Sequence, residues 1–215
     1  DRPVDDLRVG YTPDLGVFPV EDEVEAVVST AVDALADAGA TVEPVTVDHG
    51  RSLEELESAV QTTASKSFAT AHEIINQTTG LDLQEHPVHV ADTLLELLSM
   101  SEETTVADEA TADIVRTAMF DALQDAFEAY DLLVTPTMGT SGLTLPADYE
   151  LEIDQFLTWP FNWTGHPASS VPAGLTEDGL PVGMQIVGRR YEDDTVLAAS
   201  AAVERERPWH DIYQA

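Results

Sequence analysis

The chain predicts an α/β domain, a mixed and largely parallel sheet flanked by helices. Three observations carry that reading. Short runs rich in β-branched residues alternate with longer segments of helical period. The first strand, helix and strand follow one another within about 45 residues, a βαβ unit whose crossover makes parallel pairing the expectation. The last third closes on two extended runs joined by Asp178-Gly179, a hairpin signal that adds antiparallel strands.

The elements follow in order. Leu7 to Tyr11 is a short apolar strand, broken by Thr12-Pro13-Asp14 and Gly16. Asp22 and Glu25 have capping-box spacing, and Val24, Val27, Val28, Ala31 and Leu35 form one helical stripe that stops at Gly39. Thr41 to Val47 reads as a second strand, with Pro44 marking an edge or a bulge. Ser52 and Glu55 form another capping box. Leu53, Leu56, Val60, Ala64, Phe68, Ala71 and Ile75 make the stripe of a long helix ending at Gly80. One further helix is expected from Pro87 through Leu98, and another from Ser101–Thr105 to Tyr130. Asp131 to Thr135 is a buried strand stopped by Pro136, and Met138 to Thr158 is an irregular segment of the kind that often carries function. Ala168 to Pro172 and Val182 to Val187 are the hairpin strands. A final helix capped by Asp194 or Thr195 runs to Glu206.

Composition says where such a chain works. Lys66 is the sole lysine, and 9 basic residues face 41 acidic ones, a formal charge of −32. Such a charge repels itself at low salt. Molar salt cuts the screening length to about 3 Å. The expectation is a cytoplasmic protein of a salt-accumulating halophile. With 43% hydrophobic residues and regular patterning, the chain does not have the signature of a disordered acidic tract. The charge argues against nucleic acid and anionic membranes as partners, and no apolar run approaches the ~20 residues of a membrane span. There is no cysteine, which excludes thiolate metal sites and a cysteine nucleophile.

Several clusters invite a chemical reading. Ser169-Ser170 lies in a strand, yet no lysine or histidine is placed by sequence to activate it. Gly139-Thr140-Ser141-Gly142 lacks the G-x-S-x-G spacing and reads as a loop. Glu85-His86-Pro87-Val88-His89 puts two histidines near a carboxylate, but a zinc site needs at least three ligands in the correct geometry, and a helix start at Pro87 explains the segment equally well. Lys66 shares a polar face with Thr62 and Glu73, which predicts a solvated side chain. Trp159, Phe161 and Trp163 read either as core packing or as a pocket wall beside the irregular segment.

The stretch Phe161-Asn162-Trp163-Thr164-Gly165-His166-Pro167-Ala168 fits an N-x-x-G-x-P-A pattern and continues as Ser169-Ser170-Val171-Pro172-Ala173-Gly174. Gly179 to Gly188 (GLPVGMQIVG), Tyr130 to Thr137 (YDLLVTPT) and Leu7 to Tyr11 (LRVGY) complete the set. Together these resemble the amidase signature family along the whole chain, and the closing hairpin is the most specific match. The resemblance implies hydrolysis of amide C–N bonds through an acyl-enzyme, by a serine nucleophile, a second serine joined by a cis peptide, and a lysine base. It implies neither cofactor nor metal. Nothing here matches the Gly/Ser-rich signature that carries those groups, so no catalytic residue is assigned in this chain. The expectation is that residues 1–215 are the C-terminal portion of an amidase domain, with the catalytic-signature half preceding Asp1.

The strand end and the irregular segment beside it suggest Thr135, Pro136, Thr137 and Met138 as one wall of such an enzyme's substrate pocket, and Trp159, Phe161, Asn162 and Trp163 as the other. The glutamine-specific branch of the family has a substrate-binding arginine and aspartate that would fall near Ala91 or Asp92 and near Gln155. Neither matches, which favours a general amidase with an apolar, aromatic-lined pocket. The expected partners are a small-molecule amide, the N-terminal half and, through an exposed apolar face, a second copy of the chain. The alternative is a catalytically silent, stand-alone α/β domain that binds a small molecule or a partner chain.

Overall fold

A computed structural model describes residues 3–142 and 153–210. The chain divides into two compact units, residues 1–50 with 119–215, and residues 51–118.

The first unit is built on a five-stranded mixed sheet of β1 (Arg8–Tyr11), β2 (Thr41–Pro44), β3 (Leu132–Pro136), β4 (Ala168–Leu175) and β5 (Pro181–Gly188), in the order β2-β1-β3-β5-β4. The β2-β1-β3 side is parallel, and β5 runs antiparallel to both β3 and β4. The expected βαβ unit is present, with α1 (Asp22–Asp37) as its crossover. Pro44, which lacks the N–H a central strand needs, is the last residue of an edge strand. At the hairpin, Gly179 takes φ +81°, a left-handed conformation that costs glycine little.

One face of the sheet is covered by α1 and α6 (Asp193–Glu206). Val24, Val28, Ala31 and Leu35 of the predicted stripe are buried there with Val9, Leu132, Val134, Met184 and Ile186. Because strand side chains alternate, Thr135, Ser170, Gly183 and Gln185 belong to the opposite face. The scarce arginines hold backbone here. Arg189 donates to the carbonyls of Phe127 and Tyr130 at the end of α4 (Val106–Ala129), and Arg207 donates to those of Thr30 and Ala173.

The 51–118 unit is helical, with α2 (Leu53–Thr79), α3 (Asp92–Glu103) and the first half of α4. Both halves of the Ser52/Glu55 capping box are made, and Gly80 ends α2 as expected. Lys66 is half-buried and paired with Glu109 at 3.1 Å, where the sequence suggested a solvated side chain.

Other local expectations are corrected. Glu21, not Asp22, is the N-cap of α1, and its side chain makes no cap bond. The helix expected from Pro87 is instead two 3-10 turns, Leu83–Glu85 and Pro87–His89, with α3 starting only at Asp92. Glu192 rather than Asp194 or Thr195 caps α6. The aromatic alternation Trp159-Phe161-Trp163 lies in a short helix, α5 (Trp159–Thr164), with Pro160 in its first turn and Gly165 at its end.

Candidate functional site

Parallel strands in an open α/β sheet present their carboxyl ends as a ligand-binding edge. At the carboxyl end of β3 the chain leaves Pro136 and lines a cleft of about 340 Å³ with Thr137, Met138, Thr140, Ser141 and Gly142. Pro181, Val182 and Gly183 of β5 line it from the other side. The lining is apolar side chains, hydroxyls and backbone, with no ionisable group among these residues.

Gly183 faces the Thr137 and Ser170 side chains. A Cβ there would stand 2.8 Å from Thr137 Oγ1 and 3.0 Å from Ser170 Oγ, so any side chain would displace the hydroxyl pair. That pair is itself bonded, Thr137 Oγ1 to Ser170 Oγ at 2.6 Å. Ser169, on the other face of β4, bonds Ser200 Oγ at 2.7 Å. Each serine hydroxyl thus engages another hydroxyl rather than a lysine or histidine, and neither is activated as a nucleophile by the described residues.

Behind the cleft, Gln185 Nε2 donates to Thr135 Oγ1 at 3.1 Å and to the Leu157 carbonyl at 3.0 Å. The backbone continues this stitching: Gly139 N–H donates to the Gln155 carbonyl, and Met138 bridges Phe156.

The eight residues expected to bind substrate therefore fall into three groups. Thr137 and Met138 line the cleft. Thr135 and Pro136 are buried in β3, beneath it. Trp159, Phe161, Asn162 and Trp163 do not line this cleft; they sit in α5. Phe161 is 1% exposed, and Trp159 packs edge-on between Phe18 and Trp163. Asn162 is exposed, and the Trp163 indole N–H is buried with no hydrogen-bond partner among the described residues. Residues 143–152 of the expected irregular segment lie outside the described residues.

Three features were missed in the sequence. Gln185 and the Thr137–Ser170 pair depend on strand register, which no local signal specifies. His166 is the third. It is 7% exposed and stacked against Phe127, and it is bonded to Thr164 Oγ1 at 2.8 Å and Gln124 Oε1 at 3.2 Å. Burial, with the Arg190 charge nearby, pushes its pKa down to about 4, so the ring is neutral near pH 7. At the edge of the cleft the Glu21 carboxyl is held below the usual range by bonds from Ser141 N–H and from the Thr140 and Ser141 hydroxyls.

Among the described residues, no group of three or more potential metal ligands converges. No helix there is long and apolar enough to cross a membrane.

A mixed sheet with a cleft at a strand's carboxyl end is an arrangement found in α/β domains. The chain belongs to the amidase family, whose sequence profile matches residues 2–197. It is 34% identical over 215 residues to an acylamidase of Rhodococcus erythropolis, covering 95% of this chain and 43% of that protein. It is 30% identical over 224 residues to a component of the glutamyl-tRNA(Gln) amidotransferase of Latilactobacillus sakei subsp. sakei, covering 93% of this chain and 44% of that one. A bacterial aryl acylamidase belonging to the amidase signature enzymes superimposes with a TM-score of 0.85 at 32% identity, over 98% of this chain and 46% of its own. The chain thus spans less than half the length of these relatives. Its fold is that of the amidase-signature amide hydrolases.

Proposed function

We propose that residues 1–215 are the C-terminal portion of an enzyme that hydrolyses small neutral amides through an acyl-enzyme, in the cytoplasm of a salt-accumulating cell. The nucleophile and base belong to an N-terminal half, which is this chain's partner in the complete protein. This portion supplies scaffold and one side of the substrate pocket. The observation that carries the reading is the bonding of the strand serine beside the cleft: Ser170 engages Thr137, not a base. A cleft lined by Met138, Pro181 and Val182 without charge suits an uncharged acyl or amine group. Within it Thr137 and Met138 meet the substrate. Thr135, Pro136 and the aromatic residues Trp159, Phe161 and Trp163 support that wall from behind, with Asn162 on the outer side of α5.

A fluorophosphonate that traps reactive serines tests the division of labour. The complete protein should take up the label, and the 215-residue chain alone should not. A covalent adduct on Ser169 or Ser170 would overturn the assignment. Turnover of several amides by Trp159→Ala and Trp163→Ala in the complete protein tests the supporting wall; unchanged specificity removes those residues from it.

A further inference from the structure

The wall of the cleft opposite β5 is held by a residue far away in sequence. Glu21 sits at the N-cap of α1, where a side chain ordinarily bonds the helix's own first N–H groups. Here it makes no such bond. Its Oε1 accepts the Thr140 hydroxyl at 2.8 Å, and its Oε2 accepts Ser141 N–H at 3.0 Å and the Ser141 hydroxyl at 3.2 Å. The Glu21 N–H donates to the Gly139 carbonyl at 2.8 Å. One residue thus binds three consecutive positions, two of which line the cleft. Thr140 Oγ1 in turn accepts Gly142 N–H at 3.4 Å, passing the restraint along the wall.

We propose that Glu21 is a positioning residue for substrate selection: by clamping Thr140 and Ser141 it sets the width of the cleft and so the size of the neutral amide group held there. The inference rests on the reading of this cleft as the amide pocket. A carboxylate suits the task, because all three groups it faces on the wall are donors and charge-assisted bonds are the stronger kind. Its two oxygens also fix two residues at once, which a neutral hydroxyl at an N-cap could not do.

The test uses the complete protein and two neutral anilides, acetanilide and octananilide. For Glu21→Ala the KM for acetanilide, which needs a closed wall to be gripped, should rise about fivefold, with kcat within about twofold. The KM for octananilide should move less than about twofold, so the preference between the two substrates shifts. Glu21→Gln should fall between, since its amide keeps one acceptor but turns a donor toward Ser141 N–H. Amide exchange at Ser141, read without any substrate, should speed up in both variants. Met138→Ala, inside the cleft, is the companion measurement. If it changes KM while the Glu21 variants leave the substrate preference or the Ser141 exchange untouched, the positioning role is overturned and the cleft stands. If Met138→Ala also changes nothing, or the wild type turns over neither anilide, the amide-pocket reading falls with it.

Discussion

The sheet unit and the helical 51–118 unit come from one acidic chain with similar helical patterning, yet they bury very different amounts of apolar surface. In the sheet unit the stripe of α1 is sealed against β1, β3, β4 and β5. In the helical unit the buried apolar residues, among those described, are Leu56, Ala59, Val60, Leu98, Ala112 and Val115. Phe68 and Ile74 of α2 are 45% and 56% exposed, and Val88, Val106 and Ile114 are more open still. A 3.6-residue period specifies a helix with an apolar face, and it is silent on whether anything covers that face. Local bonds are also made in α2. The capping box fixes its first turn, and Thr70, Thr78 and Thr79 hydroxyls bond carbonyls one turn back. Such local terms are small beside core burial. The helical unit should therefore open more readily than the sheet unit.

The largest effect that can break this comparison is a truncation in the sheet unit's core. Leu35 is fully buried, and Leu35→Ala should cost about 3 kcal/mol, the transfer loss plus the cavity. All three tryptophans, Trp159, Trp163 and Trp209, lie in this unit, so their fluorescence reports its unfolding alone. In urea titrations at molar potassium chloride, Leu35→Ala should move the fluorescence transition. Leu56→Ala, in the helical unit, should move the helical circular-dichroism signal at lower urea and leave the fluorescence midpoint nearly in place. Coincident shifts for both variants would mean that the units unfold as one.

The second effect, on the order of 2 kcal/mol, belongs to His166 and again to the sheet unit. Its pKa in the folded chain, about 4, lies below the ordinary 6.5. The unfolded chain therefore binds the proton first as pH falls. The stability contributed by the neutral ring is complete above pH 6.5, declines as pH falls from 6.5 to about 4, and is constant below that. Protonation of surface carboxylates near the lower end relieves the −32 charge and works in the opposite sense. The difference between the protein and His166→Gln isolates the histidine. The pH slope of the fluorescence midpoint between 6.5 and 4 should be flatter in the variant. Equal slopes would remove the buried ring as its source.

What the sequence reveals of this fold follows the range of the interactions. The Ser52/Glu55 box, the Gly80 stop and the Asp178-Gly179 turn are made within a few residues, and each stands where the sequence put it. Asp22 and Glu25 have the same spacing as the Ser52 box. The box fails there because Glu21 takes the cap position and turns its carboxylate to residues 119 and 120 positions away. The aromatic residues of α5 recur at a spacing of two, yet Pro160 and Gly165 decide for a helix. That Thr137 and Met138 line the cleft follows from their place after a buried strand. Their partners Ser170, Gly183 and Gln185 come together only through the β3–β5–β4 register, and their types alone do not predict it.

A smaller effect tests the helical unit at its first turn. Ser52→Ala removes the acceptor for Glu55 N–H and should cost about 1 kcal/mol. The loss should show as faster amide exchange in the first turns of α2, with the fluorescence midpoint unmoved. A fluorescence shift as large as the helical one would show that the cap supports more than its own unit.

The smallest expected change in stability is at the exposed apolar side chains of α2. Phe68 and Ile74 are exposed side chains, so Phe68→Ser with Ile74→Ser should alter unfolding by no more than about 0.5 kcal/mol, in contrast with the core truncation. The same pair should sharply reduce binding of a hydrophobic dye to the 215-residue chain, because large bare apolar residues rimmed by polar ones are what such dyes detect. The two readouts separate two origins of exposure. If the substitutions cost several kcal/mol, these side chains are packed in solution, and the contrast between the units disappears. If stability is unchanged and dye binding falls, α2 carries an apolar face that its own unit leaves open. Equal dye binding before and after would place the exposed apolar surface elsewhere in the chain.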